Sequence, residues 1–509
     1  MLSRRDSLAA LAAVIAFASD AARAAAGPRL SQGEPFSWEG LKALAIARAG
    51  QPWQPPQPLA EARAIDFEQA GRIAYRPGKA LWPGDGDHET RFFPVHRFAA
   101  FPVSIAVVEG GRARTLPFSP DLFEVAPDRR GVRAHPPHGF AGFRLMNRGG
   151  KGDWLAFQGA SYFRAAGALD QYGLSARGLA INTGIDGQEE FPSFTRFWLE
   201  RGPDEAITVY ALLDGPSVTG AYRFVNRRTA AGPIQDVTAA IRLRRGVARL
   251  GFAPLTSMFW YSEGNRAAAA DWRPEIHDSD GLLLLTGTRE SIWRPLSNPS
   301  RPTINSFQDR GPQGFGLFQR DRTFAHYQDD GAFYEKRPNL WIEPQGDWGP
   351  GAVMLYEIPT QREIEDNIVA FWTPAGPAKA GNRYDIGYRL SWTAADPATA
   401  GIARAVDCWT GTAGPPGHEP TPGARRLVAD FVGDRLAGLG RDSGVDADIS
   451  VGGGTLIARY AYPVVGAASR WRVIADVAIT GREPAILRAY LKRGRDALSE
   501  TLIYPLDSR

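Results

Sequence analysis

Acidic side chains and a histidine crowd into the stretch 273–282, "RPEIHDSDGL", in a chain that has only seven His. Its carboxylates on alternate residues suggest a calcium loop or an acid–base site. The EF-hand spacing is not met, because Gly281 directly follows Asp280 and an apolar run comes next. A zinc site needs a second His or Cys at ligand spacing, and none is near. The pattern therefore leaves two interpretations, an ordinary polar turn or half of an active site.

A second acidic group, in "REIEDNIVAFW" at 362–372, stands directly before an apolar strand and contains Glu363, Glu365 and Asp366. Clustering and burial both raise the pKa of carboxyl groups, and a carboxyl kept neutral near pH 7 can act as a general acid. A solvated acidic turn that caps a strand would look the same. Glycoside hydrolysis needs two carboxyl groups across the scissile bond, so the two stretches together suggest that chemistry.

Tryptophan is abundant, with 14 in the chain. Aromatic faces stack on the apolar faces of sugar rings, although they also fill the core of a large β-sandwich. We expect at least one member of the following series to line a carbohydrate cleft: Trp260, Trp272, Trp293, Trp341, Trp348 and Trp372.

Several other functions are disfavoured. The formal net charge of +4 is too weak and scattered to indicate nucleic-acid binding. A single cysteine excludes an intramolecular disulfide. No G-x-S-x-G, G-x-G-x-x-G or P-loop motif occurs, and the glycines at 452–454 precede an apolar strand and predict a hairpin turn instead of a phosphate cradle.

The first 26 residues resemble an export signal. Arg4 and Arg5 precede an apolar run that is too short to span a bilayer, and small residues follow it. We interpret 1–26 as a twin-arginine signal peptide, which predicts a periplasmic protein.

The remaining chain predicts an all-β fold. Short apolar runs such as "VSIAVVE", "AITVYALL", "TGAYRFV", "GLLLLTG" and "WRVIADVAI" are separated by Gly, Pro, Asp and Asn, and one short helix is expected in "SWEGLKALAIARA". A Pro- and Gly-rich composition break follows residue 393. We therefore predict a large double-sheet domain over 27–395 and an immunoglobulin-like β-sandwich over 396–509.

Long motifs resemble one family. The stretches "GASYFRAAGALDQYGLSARGLAINTG", "EEFPSFTRFWLE", "RPEIHDSDGL" and "YEIPTQREIEDNIVAFW" are similar to the periplasmic glucan biosynthesis proteins, MdoG/OpgG and OpgD, from about residue 66 onward. The twin-arginine leader favours the OpgD branch. The resemblance implies that the large domain is a galactose-mutarotase-like β-supersandwich and that homodimers occur.

The resemblance also implies a substrate and a set of roles. Family members act on β-1,2-linked glucan, some as inverting endo-glucanases. The general acid falls on Asp366, and the general base falls on Asp278, acting through water and a substrate hydroxyl. The family's "YxxRPS" element is "YEKRPN" here, so Tyr334 and Arg337 are expected substrate contacts, whereas Asn339 replaces the usual Ser. The remaining expected substrate contacts are His277, Trp260, Trp348 and Trp372.

Three alternatives stay open at this point. The protein could transfer glycosyl groups on the same glucan, or be a non-catalytic glucan-binding scaffold for a membrane glucosyltransferase, or act as a mutarotase-like epimerase on monosaccharides. None of these functions requires a cofactor or a metal ion.

Overall fold

The computed structural model describes residues 28–127, 138–269, 271–396, 401–415 and 417–507. The predicted signal peptide lies outside these residues. The α-helices are α1 (Trp38–Ala49), α2 (Ala60–Arg63), α3 (Phe67–Gly71) and α4 (Phe324–Tyr327). Short 3-10 helices span Pro77–Lys79, Gly86–His88, Pro120–Leu122, Glu263–Ala268, Tyr334–Lys336 and Asp434–Leu436. Helix α1 confirms the one helix expected from the sequence, and Ser37 caps it by accepting the N–H of Gly40 at 3.0 Å.

The first strands along the chain are β1 (Glu34–Pro35), β2 (Ile73–Tyr75), β3 (Thr90–Pro94), β4 (Ser104–Glu109), β5 (Arg112–Thr115), β6 (Phe123–Val125), β7 (Phe140–Met146), β8 (Asp153–Gln158), β9 (Tyr162–Ala165), β10 (Ser175–Arg177), β11 (Ala180–Ile181), β12 (Ser193–Arg201), β13 (Ile207–Asp214), β14 (Val218–Thr229), β15 (Gly232–Leu243), β16 (Leu250–Ser257) and β17 (Phe259–Tyr261). The later strands are β18 (Ile276–His277), β19 (Gly281–Leu285), β20 (Ser291–Pro295), β21 (Thr303–Arg310), β22 (Gly314–Phe318), β23 (Asn339–Gln345), β24 (Pro350–Glu357), β25 (Ile368–Pro374), β26 (Arg383–Thr393), β27 (Arg404–Thr412), β28 (Ala424–Val432), β29 (Val445–Gly452), β30 (Gly454–Pro463), β31 (Arg470–Ile479), β32 (Ala485–Arg493), β33 (Asp496–Ala497) and β34 (Thr501–Leu506).

Two large sheets dominate the architecture. The first runs β1-β5-β4-β12-β13-β14-β15-β26-β23-β22-β19-β20-β34-β32-β29, with β33 on β32. The second runs β21-β24-β25-β16-β10-β9-β8-β7-β3, with β11 on β16. A four-stranded sheet, β27-β28-β31-β30, and the two-stranded pairs β17-β18 and β2-β6 complete the fold. The expected all-β sandwich architecture is therefore confirmed.

The inner faces of the two large sheets pack through aromatic rings. Phe143 of the second sheet meets Phe197 of the first at a centroid distance of 5.2 Å, and Phe163 meets Phe224 at 5.1 Å. All four rings are at most 3% exposed, and each buried side chain of this size contributes about 1.5–3 kcal/mol to stability. The alternation of apolar and polar residues along the strands thus specifies which side of each sheet faces the core.

The C-terminal strands extend the first large sheet. Strand β34 pairs in parallel with β20 and antiparallel with β32, so the sheet continues past residue 396. Gly453 alone separates β29 from β30, and these strands pair with different partners, β32 and β31. The hairpin predicted at 452–454 is therefore wrong, since the turn passes the chain from one sheet to another. The division into domains at 395/396 stays a prediction.

Candidate functional site

Strand β17 brings the two acidic stretches together. Phe259 is the register partner of His277, and its backbone also bonds to the side chain of Asn367, with Phe259 N–H donating at 2.8 Å and its carbonyl accepting at 2.9 Å. Asp278 follows His277 in the chain, and Asp366 precedes Asn367. Asp278 and Asp366 are therefore each adjacent in the chain to a residue that pairs with Phe259.

Asn367 fixes the start of β25 firmly. Its amide is 2% exposed and also donates to the carbonyl of Ile358 at 2.9 Å. A buried amide with both ends bonded holds its segment in one position, because leaving either end unpaired costs about 1–3 kcal/mol. The position of Asp366 therefore depends on a neighbour to which sequence reasoning assigned no role.

Asp278 is buried and paired with a cation. Its side chain is 8% exposed and contacts the guanidinium of Arg337, and its backbone N–H donates to Met258 at 2.8 Å. Arg337 stacks on the ring of Tyr334 at 4.1 Å. Burial lowers the pKa of Arg337 to about 10, while the charges of Glu363 and Asp366 oppose that shift. One guanidinium thus contacts Asp278 and feels the charge of Asp366.

Asp366 combines access to solvent with a raised pKa. The residue is exposed, yet the protein around it displaces enough water to raise the pKa of its carboxyl. The positive charges of Arg164, Arg177 and Arg337 partly oppose this increase. A carboxyl with this balance can donate a proton to a group that approaches from solvent.

Neither Arg164 nor Arg177 was predicted from the sequence. They lie on β9 and β10, and the position of Arg177 pairs with Tyr162. Arg177 is 3% exposed, forms an ion pair with Glu189 at 3.2 Å and stacks near the ring of Phe191. Isolated arginines in β-strands carry no local signal, so only the order of the strands reveals their proximity to Asp366.

Tyr334 and Glu363 belong to the same group of contacts. The hydroxyl of Tyr334 donates to Glu363 at 3.3 Å, and Arg273 pairs with Glu363 at 2.6 Å and with Asp329 at 2.7 Å. Burial raises the pKa of Tyr334, so its hydroxyl remains protonated at neutral pH. These bonds join the segments around residues 273, 329 and 363 beside the carboxyl pair.

His277 is enclosed by the protein. It is 1% exposed, and its ring nitrogens lie 2.9 Å from Gln319 Oε1 and 3.1 Å from Glu275 Oε2. Burial alone lowers its pKa, but the bond to Glu275 and the charges of Asp280 and Glu275 raise it to about 9. His277 is therefore a buried cation that braces the loop behind Asp278, and the substrate contact expected of it does not fit this enclosure.

Asn339 also braces the site. Its side-chain oxygen accepts from the backbone of Gln319 at 2.8 Å and from Arg322 at 3.0 Å. Arg322 in turn donates to the carbonyls of Glu335 and Arg337 at 3.0 Å. The departure from the family's usual serine therefore supports the backbone that carries Tyr334 and Arg337.

The three tryptophans assigned to the cleft lie in different environments. Trp372 is 0% exposed, and its ring lies 6.3 Å from that of Trp348. Its indole also fills the space that a side chain at position 351 would need, so the glycine there leaves no gap. Trp348 also packs on Tyr388 and donates to the carbonyl of Gly387 at 3.1 Å. The substrate contact expected of Trp372 does not fit its enclosure in the sandwich core, whereas Trp348 is half-buried against that core and its substrate contact stays a prediction. Trp260 is half-buried on β17, next to Phe259.

One group within the described residues has the composition of a metal site. Single ligand atoms of Glu275, Asp321 and His326 lie within 4.8 Å of one another. His326 Nδ1 is already 2.5 Å from Asp321 Oδ2, so these two side chains satisfy each other. The group does not include Asp278 or Asp366.

Two recesses lie away from the carboxyl pair. One of about 460 Å³ opens between the segments 246–250 and 373–380, and another of about 430 Å³ lies beside α1. Neither is lined by Asp278 or Asp366. Asp278 is buried and Asp366 is exposed, so the two carboxyl groups lie at different depths in the protein.

Comparison with known proteins identifies the family. The family model described as "Periplasmic glucan biosynthesis protein, MdoG" matches residues 36–506. "Glucans biosynthesis protein D 2" of Ralstonia nicotianae is 42% identical, covering 99% of this chain and 97% of the relative. "Probable glucans biosynthesis protein D" of Shewanella oneidensis is 44% identical over 93% and 89%, and "Glucans biosynthesis protein D" of Xanthomonas campestris pv. campestris is 42% identical over 95% and 92%. Within the described residues, no helix is long and apolar enough to cross a membrane. The family resemblance expected from the sequence is confirmed, and the chain belongs to the MdoG family of periplasmic glucan biosynthesis proteins.

Proposed function

We propose that this protein is a periplasmic inverting endo-glucanase that cleaves the β-1,2-linked backbone of glucans, with Asp366 as general acid and Asp278 as general base. The observation that carries the proposal is the attachment of both acidic segments to Phe259, through His277 on one side and Asn367 on the other. Family membership supports the glucan substrate and the periplasmic location. The motif resemblance supports the β-1,2 linkage.

The two carboxyl groups suit different steps. The raised pKa of Asp366 favours its protonated form, which can donate to the glycosidic oxygen as the leaving sugar departs. The contact with Arg337 favours the ionised form of Asp278, which can accept the proton that the attacking water releases. Attack on the face opposite the leaving group inverts the anomeric carbon.

The separation of the carboxyl groups matters for this scheme. Direct inversion places them about 6.5–9.5 Å apart, which leaves room for one water. A relay through water and a substrate hydroxyl relaxes that requirement. In such a relay the attacking water passes its proton to the substrate hydroxyl, which passes its own proton through a water to Asp278.

The test compares Asp366→Asn with Glu365→Gln. Glu365 is the neighbouring carboxylate, but it accepts hydrogen bonds from Arg362 at 3.0 Å and Thr360 at 2.8 Å instead of belonging to the carboxyl pair. We expect Asp366→Asn to lower the release of reducing ends from linear β-1,2-glucan by about 10²–10⁴-fold. Glu365→Gln should remain close to wild type.

Product analysis separates the rival functions. Mass spectrometry of the wild-type digest should show shorter linear glucans, and NMR of the first products should show the α-anomer. Products longer than the substrate would instead indicate glycosyl transfer, and unchanged glucan would indicate a scaffold. Near-wild-type activity of Asp366→Asn would exclude the acid assignment.

A further inference from the structure

Trp272 is the most exposed aromatic side chain among the large exposed hydrophobic residues that the structure describes. It is 72% exposed, against 69% for Phe98, the next aromatic. Among the described residues, no aromatic ring or cation stacks on its indole. An exposed indole of this size leaves a large apolar area in water, at a cost of about 25 cal/mol per Å².

The loop that carries Trp272 is held in place. The next residue, Arg273, pairs with Asp271 at 2.5 Å and with Asp329 at 2.7 Å. Its carbonyl accepts the hydroxyl of Tyr261 at 3.1 Å. Its guanidinium is 13% exposed, so these ion pairs are partly shielded from solvent. Several shielded contacts on one side chain order the backbone on both sides of it, so Trp272 is exposed on a firm support.

The same arginine connects the loop of Trp272 to the segment that carries Asp366. Arg273 also pairs with Glu363 at 2.6 Å, three residues before Asp366. Between them lies Ile364, which is 76% exposed. Trp272 and Ile364, both strongly exposed, are therefore the chain neighbours of the two partners of the ion pair between Arg273 and Glu363. This ion pair lies at the edge of the proposed active site.

We propose that Trp272, with Ile364 beside Glu363, forms a binding subsite for one glucosyl unit of the substrate chain next to the proposed cleavage point. The inference rests on the proposed glucanase function, because that function supplies a polymer that extends beyond the two reacting sugars. The apolar C–H face of a glucosyl ring stacks on an indole, and the hydroxyl groups at its edge remain hydrated. The subsite assigns a contact with the chain to Trp272, whereas Trp372 is enclosed in the core.

The test uses Trp272→Ala and Trp272→Phe in the full-length protein. The matched control is Tyr460→Ala, an aromatic residue that is 52% exposed on β30 of the separate four-stranded sheet. We expect Trp272→Ala to raise KM for linear β-1,2-glucan about tenfold with little change in kcat, since ring stacking is worth about this factor. Trp272→Phe should keep most of the affinity, and Tyr460→Ala should match wild type.

A second measurement reports binding without turnover. Acrylamide quenches the fluorescence of exposed indoles, so linear β-1,2-glucan should protect part of the quenchable fluorescence of the Asp366→Asn protein. The protection should disappear when Trp272→Phe is added to Asp366→Asn, although glucan binding persists.

The outcomes separate the subsite from the reaction. Protection that depends on Trp272 supports the subsite even if the wild-type protein releases no products. The absence of products would then refute the proposed hydrolysis but not the subsite. Cleavage by wild type together with an unchanged KM in Trp272→Ala and no protection would overturn the subsite and leave hydrolysis standing. Neither cleavage nor protection would overturn both.

Discussion

Replacing Arg320 by methionine tests how the C-terminal strands support the candidate site. The guanidinium pairs with Glu500 and, at 2.7 Å, with Asp396, and the three side chains are 3%, 0% and 5% exposed, respectively. It also lies 3.7 Å from the ring centroid of Trp293. The backbone N–H of Arg320 donates to Asp280 at 2.5 Å, two residues after Asp278. Arg320 therefore joins strand β34 to the loop that carries the proposed base.

The magnitude follows from burial. Arg320→Met leaves the carboxylate of Glu500 buried without this cation, and breaking a buried ion pair costs about 3–5 kcal/mol. Methionine keeps an apolar contact with Trp293 but loses the cation–π attraction, which is worth about 2 kcal/mol when it is shielded from water. Glu500→Gln is expected to cost only about 1 kcal/mol, because the new amide still accepts the N–H of Ala405 and the guanidinium keeps Asp396.

The pH dependence of the same pair has a defined sign. Burial raises the pKa of Glu500 in the folded protein, although Arg320 opposes the shift. The folded state therefore binds this proton more tightly than the unfolded chain does. The contribution of Glu500 to stability is fully present below the pKa that this carboxyl has in the unfolded chain. It is lost as pH rises through the pKa that the carboxyl has in the folded protein. The stability of wild type relative to Glu500→Gln should accordingly fall with increasing pH over that interval.

The assay is urea unfolding monitored by hydrogen exchange of peptides from β20 and β34. Exchange is measured on these peptides because a chain of this size does not unfold in one step. The control is Arg301→Met, whose ion pair with Glu483 is 64% and 69% exposed and should contribute at most about 1 kcal/mol. Equal losses in Arg320→Met and Glu500→Gln, or a loss in Arg320→Met no larger than in Arg301→Met, would refute the reasoning.

Two further predictions concern the site and the core. Arg164→Gln removes a positive charge that lowers the pKa of Asp366, so the pKa of this acid should rise and the alkaline limb of the pH profile of kcat/KM should move to higher pH; an unchanged or lowered limb would contradict this. Trp372→Ala should cost about 3–5 kcal/mol in urea unfolding, because the ring is 0% exposed and leaves a cavity. A comparable loss in Trp272→Ala would show that the two tryptophans had been assigned to the wrong environments.

Much of the local structure could be predicted from the sequence. The five apolar runs quoted at the outset all lie in strands, β4, β13, β14, β19 and β31, because side-chain alternation and turn residues act over a few positions. The carboxyl groups at the ends of β18 and before β25 were found for the same reason. The resemblance then assigned them roles that their spacing alone could not.

The environment of each side chain could not be predicted. Trp372 and Trp272 are the same residue type, yet one is enclosed and the other is exposed. The glycines at 452–454 gave the correct turn but the wrong strand partners. Burial and pairing depend on which strands become neighbours, and this order is set by contacts between residues far apart in the chain.

The sequence by itself determined an all-β chain with two acidic segments placed next to strands, together with its family, because local patterns and long motifs carry that information. Only the tertiary structure decided that Phe259 joins the two segments through His277 and Asn367, that Arg164 and Arg177 act on Asp366, and that His277 is a buried brace. The physical reason is that the charge state of a carboxyl group depends on the water and charges around it, and these come from strands that are neighbours only in the folded sheet.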